Sequence, residues 1–80
     1  MKASIIVMPK RNVLDPQGKA VKHALESMNF TGIGDVRVGK FMEIELESGD
    51  KAGLQKMIDE ACRKLLSNPV IEEYSFEVHE

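Results

Sequence analysis

The segment Gly34-Asp35-Val36-Arg37-Val38-Gly39-Lys40-Phe41 comes within one residue of the phosphate-binding pattern GxxxxGK[ST]. That pattern works through a hydroxyl at its last position, which reaches magnesium, and through the amides of a loop that opens a helix. Here the last position is Phe41, the interior DVRV alternates like a strand, and more strand follows. The segment therefore reads as a hairpin turn with a glycine. Glu43, Glu45 and Glu47, spaced two apart, suggest a cation site. A solvated strand face, or pairing with lysines across a sheet, accounts for them more simply. His23 and His79 lack ligand-spaced neighbours, and the single cysteine, Cys62, lies on an apolar helical stripe, where cysteine acts as a small hydrophobe. Nucleophilic catalysis needs a base beside an exposed thiol or hydroxyl, and no spacing here supplies one. No metal, cofactor or catalytic residue is expected.

The elements that could position such groups follow from periodicity. Ala3 to Met8 form a β-branched apolar run ended by Pro9, a strand. Asp15 can cap a helix with Pro16 at its first position, and Val21, Ala24, Leu25 and Met28 then recur as one buried face. Asn29 to Gly34 breaks that helix. From Val36 to Glu47 apolar and charged residues alternate, broken at Gly39-Lys40; a hairpin explains this, and one long bulged strand is the alternative. Ser48-Gly49-Asp50 opens a second helix with the stripe Leu54, Met57, Ile58, Ala61, Cys62 and Leu65. Asn68-Pro69 stops it, and Tyr74, Phe76 and Val78 share one face of a last strand. The order β-α-β-β-α-β predicts a single α+β domain over residues 1–80. Its fold would be ferredoxin-like, a four-stranded antiparallel sheet with two helices on one face. Both helices open with D-x-x-G, Asp15 to Gly18 and Asp50 to Gly53.

Bulk properties narrow the function. Eighty residues, 42% of them hydrophobic, sustain one core and bury only roughly 60 to 65% of the unfolded surface. Chains this small and without disulfides often gain stability by oligomerising. A formal net charge of -2 offers no overall field to nucleic acid or an anionic membrane. One tyrosine and three phenylalanines are too few for an RNA-stacking sheet. The apolar run near the N-terminus is much shorter than a signal-peptide core or a membrane span, so a soluble cytoplasmic chain is expected. Ile6 and Met8 point opposite to Ile5 and Val7, and Phe41 lies on the charged side of its strand. The sheet face away from the helices thus carries an apolar patch that calls for a second protein layer.

Three stretches are richer in special residues than a scaffold needs: VLDPQGKAVKHAL, VRVGK with its acidic alternating strand, and LLSNPVIEEY. Together, with Phe30 at the end of the first helix, they closely resemble the small subunit of bacterial and archaeal phosphoribosylformylglycinamidine synthase, the amidotransferase of purine biosynthesis. Two departures are mild: Asn12 stands where the family usually has glycine, and Glu73 where an aspartate often precedes the final tyrosine. The resemblance implies a subunit that is not catalytic alone, within a glutamine-dependent, ATP-consuming ligase. It implies a homodimer or higher oligomer joining a large synthetase subunit to a glutaminase subunit and supporting ammonia transfer. Partner contacts are then expected at Leu14, Asp15, Pro16, Gln17 and Gly18, at Arg37, Gly39 and Lys40, and at Asn68 and Pro69. The alternative is a ligand-sensing ferredoxin-like regulatory domain, although PKRNVLDPQG carries only one glycine for the loop that such a domain would use. A small ferredoxin-like hydrolase would need a phosphate-binding loop near the first strand, and none is evident.

Overall fold

The computed structural model describes residues 1–79. Strand β1 (Lys2–Pro9) is followed by helix α1 (Pro16–Ser27), strand β2 (Lys40–Glu45), helix α2 (Lys51–Ala61) and strand β3 (Glu72–His79). A π turn over Cys62–Leu66 closes α2. The sheet is antiparallel in the order β2-β1-β3, with Ile5 opposite both Met42 and Phe76. That register places Ala3, Ile5, Val7, Met42, Ile44, Tyr74, Phe76 and Val78 on one face, since side chains alternate along a strand.

Helix α2 covers part of this face with Leu54, Ile58 and Cys62, four residues apart along one row. These three, with Ala3, Ile5, Val7 and Val78, are the buried core. The Tyr74 hydroxyl donates to Asp59 Oδ1 at 2.6 Å and pins α2 to β3. Of the helix stripe expected from spacing, Met57 and Leu65 are instead exposed. The π turn carries the row onto Leu66, which packs against the core.

The larger difference lies between α1 and β2. Among the described residues the sheet has three strands, not the four that a hairpin over the alternating residues 36–47 predicts. Residues 35–38 lie along α1 instead of forming another strand. The Gly34 carbonyl accepts from Lys22 Nζ at 3.2 Å, and the Val38 amide donates to Asp15 Oδ2 at 3.0 Å. Helix α1 ends with Asn29 in the left-handed region (φ 68°), where the Phe30 amide reaches the Leu25 carbonyl at 3.1 Å. The chain then turns back along the helix.

Helix and returning segment form an arm, and the stripe Val21, Ala24, Leu25 and Met28 is not the buried face its spacing predicts. Val21 and Met28 are exposed, and no residue of α1 belongs to the core. Only α2, not both helices, layers the sheet, so Met42 and Ile44 on the β2 side stay half-buried. The molecule accordingly measures 50 × 26 × 15 Å, with a radius of gyration of 16.1 Å. A compact chain of this length would have about 12 Å. On the uncovered sheet face, Ile6 and Phe41 are exposed side by side, in register across β1 and β2.

Candidate functional site

All three stretches rich in special residues meet at the end of the sheet where β1 finishes and β2 and β3 begin. The Lys10 amide donates to the Ile71 carbonyl at 2.8 Å, tying the loop that leads from β1 into the first stretch to the third. Arg37 Nη1 donates to the Pro9 carbonyl at the end of β1 at 3.0 Å, and the Asp15–Val38 bond joins the first stretch to the second. Lys40 Nζ stands 3.9 Å from Glu72 Oε2, the weakest tie, between second and third. Glu72 also accepts the Asn68 amide at 2.7 Å through Oε1.

Each stretch has a local reason for its shape. Asp15 caps α1 by accepting the Gly18 amide at 3.0 Å on Oδ1, while Pro16 occupies a first-turn position that needs no donor. Its carboxyl is held below the usual aspartate range, first by the Gly18 amide and then by that of Val38. Gly18 is buried, and a Cβ there would overlap the Val36 carbonyl oxygen. Gly39 meets β1 as closely, where a Cβ would strike Met8 Sδ and the Val7 carbonyl oxygen. Asn68-Pro69-Val70-Ile71 is a β-turn with proline at its second position, closed by the Ile71 amide on the Asn68 carbonyl at 3.0 Å.

Of the ten expected contact residues, Leu14, Pro16, Gln17, Gly39, Lys40, Asn68 and Pro69 are exposed around this junction. Asp15 and Arg37 are half-buried and tied to backbone, and Gly39 is pressed on β1. Gly18 is covered by its own chain, so intrachain packing accounts for the glycine. Between residues 9–15 and 35–37 opens a cleft of about 370 Å³, lined also by Lys19. Its lining includes Lys10, Arg11 and Lys19, which no spacing rule singles out in the sequence. The consecutive Lys10-Arg11 pair just after a strand is the one signal that could have marked them.

Chemistry elsewhere is sparse. Cys62 is fully buried, and desolvation pushes its thiol pKa up. The Ser4 hydroxyl lies 3.0 Å from His79 Nε2 across β1 and β3, on the open sheet face. Among the described residues no three His, Cys, Asp or Glu side chains gather to hold a metal ion. No helix among them is long and apolar enough to cross a membrane.

Residues 2–80 match the family model PurS, phosphoribosylformylglycinamidine (FGAM) synthase. The chain belongs to the PurS family. The PurS subunit of the synthase from Bacillus subtilis is 49% identical over 79 residues, covering 99% of this chain and 93% of the relative. The PurS subunit from Methanocaldococcus jannaschii is 34% identical over 77 residues, covering 96% and 93%. The solved B. subtilis PurS structure superposes with a TM-score of 0.87, at 49% identity and with 99% and 98% of the two chains covered. A chain in the structure of PurLQS from Thermotoga maritima superposes with a TM-score of 0.84, at 33% identity and with 95% and 93% covered. The arm and the loop junction thus lie in a PurS chain whose whole length matches its relatives.

Proposed function

We propose that the chain is the non-catalytic assembly subunit of a cytoplasmic FGAM synthase. It bridges an ATP-dependent synthetase subunit and a glutaminase subunit and supports ammonia transfer between them. The observation that carries this reading is the arm, which holds an amphipathic helix with its apolar stripe uncovered. The accessible surface is 5930 Å², where a compact monomer of this mass would expose about 4,800 Å². The excess is on the order of what one partner contributes to a standard interface. The likeness to a chain of PurLQS supports the same role. Ammonia released into water is protonated and diluted, so a subunit that excludes water from a junction has a chemical purpose.

The first partner is a second copy. The arm of one chain fits the half of the other chain's sheet that α2 leaves bare: α1 would lie over Met42 and Ile44, with residues 35–38 along the free edge of β2. Each sheet would then gain its fourth strand in trans, completing a ferredoxin-like unit with helices over one face. Burial of Val21 and Met28 would drive this association.

The test is reconstitution with purified synthetase and glutaminase subunits. With glutamine as nitrogen donor, amidine formation is expected to fall, when the chain is omitted, to the level seen without glutaminase. Undiminished activity without the chain would defeat the assembly reading.

A further inference from the structure

The cleft beside Asp15 carries a local charge opposite to that of the whole molecule. The chain has a formal net charge of -2, yet four cations, Lys10, Arg11, Lys19 and Arg37, line this one opening. Two carboxylates, Asp15 and Asp35, also line it and accept backbone amides, so cations outnumber them by two. Asp15 accepts the Gly18 and Val38 amides, and Asp35 accepts the Val36 amide at 2.9 Å. None of the four cations lies in an ion pair among the described residues, although Lys2, Lys40, Arg63 and Lys64 each have a carboxylate partner. Arg37 is held by the Pro9 carbonyl through Nη1 alone, so the rest of its planar fork is available for a carboxylate.

The rim is apolar. Leu14, 70% exposed, lines the cleft, and Val70, 79% exposed, stands next to the Ile71 carbonyl that holds Lys10. Cations that form no ion pair among the described residues, set beside exposed aliphatic side chains, make a surface complementary to an acidic segment that also carries apolar residues.

We propose that this cleft receives an acidic segment of a partner subunit, whose carboxylates pair with Arg37, Arg11 and Lys19 while an apolar side chain packs on Leu14. The inference deepens the assembly reading and rests on it only for the identity of the partner. The cleft does not include the apolar stripe of α1, although residues 35–37 belong both to its lining and to the segment placed along the second copy's β2, so the acidic segment would bind beside the contact between copies.

Two measurements on the full-length chain test it. In the first, amide chemical shifts are followed on adding a decapeptide of alternating glutamate and leucine, and separately inorganic phosphate at equal concentration. Shifts confined to residues 10–14, 19 and 35–37 with the peptide, and absent with phosphate, are expected. Equal shifts with phosphate, or peptide shifts spread elsewhere, would overturn the proposal.

In the second, the affinity for the separate synthetase and glutaminase subunits is compared for wild type, Arg11→Glu with Lys19→Glu, and the control Lys51→Glu with Lys56→Glu. Arg11 and Lys19 are exposed and make no side-chain hydrogen bond or ion pair among the described residues, so their reversal spares the fold. The cleft reversal is expected to weaken binding to one subunit by roughly tenfold or more and to flatten its salt dependence, with the control close to wild type. Unchanged affinity for both subunits would overturn the proposal and leave the assembly role standing. A localised peptide response in a chain that binds neither subunit would support the cleft and defeat the assembly role.

Discussion

The two helices open on the same four-residue pattern and end in opposite circumstances. Asp15 and Asp50 each cap their helix by accepting the amide three residues on, at 3.0 and 2.8 Å. Beyond that bond the two starts diverge. Gly18 is buried under the Val36 carbonyl, and the second oxygen of Asp15 holds the Val38 amide, so this start is also the joint between helix and returning chain. Gly53 is exposed, and a Cβ there would meet only its own cap, 3.0 Å from Asp50 Oδ1. The pattern fixes where a helix begins. What packs on that beginning decides whether its glycine is required.

Substitutions at the paired positions should separate the two starts. The largest effect is expected for Gly18→Ala, where a methyl group cannot fit unless the arm opens. A loss of about 1 to 3 kcal/mol, read by chemical denaturation, is the cost typical of such overpacking. Next come the caps. Asp50→Ala should cost about 1 kcal/mol, the ordinary value of an N-cap. Asp15→Ala should cost more, because it frees two amides instead of one.

Acid provides a gentler probe of the same asymmetry. The folded-state pKa of Asp15 lies below its ordinary 3.8, so its contribution is complete above that value and fades as pH falls through the folded pKa. Between pH 5 and 2 wild type should therefore lose stability more steeply than Asp15→Asn. Smallest of all is Gly53→Ala. Better helix propensity offsets the tight approach to a mobile carboxylate, and the outcome should lie between no change and a gain of about 1 kcal/mol. A loss as large as that of Gly18→Ala would erase the distinction between the two helix starts.

The same contrast explains which elements were legible in the sequence. β1, β3 and α2 find their partners within the chain, so their periodicity leads directly to the observed core. Val36 and Val38 alternate as a strand should, but alternation does not say whether the neighbour is a strand or a helix, and here it is α1. The stripe of α1 is a true apolar face, yet spacing cannot tell whether its cover belongs to the same molecule. Leu65 was misplaced for a local reason, the π turn that substitutes Leu66.

At the candidate site, residues with unusual backbone roles were visible. Pro16, Gly18, Gly39 and Pro69 each mark a turn, a helix start or a close approach, and the fold gathers them at one end. Lys10, Arg11 and Lys19 were not visible, because a surface cation has no characteristic spacing. Only the fold shows that they share a cleft with Arg37.

The uncovered stripe of α1 is the feature on which the account depends, and sedimentation equilibrium at micromolar concentration tests it most directly. The chain should sediment at about twice its 8.9 kDa or at a higher multiple, and Val21→Glu with Met28→Glu should shift it to the monomer mass while α2 and the sheet remain folded. A wild-type chain that sediments as a monomer, or a double variant that assembles as well as wild type, would contradict the account.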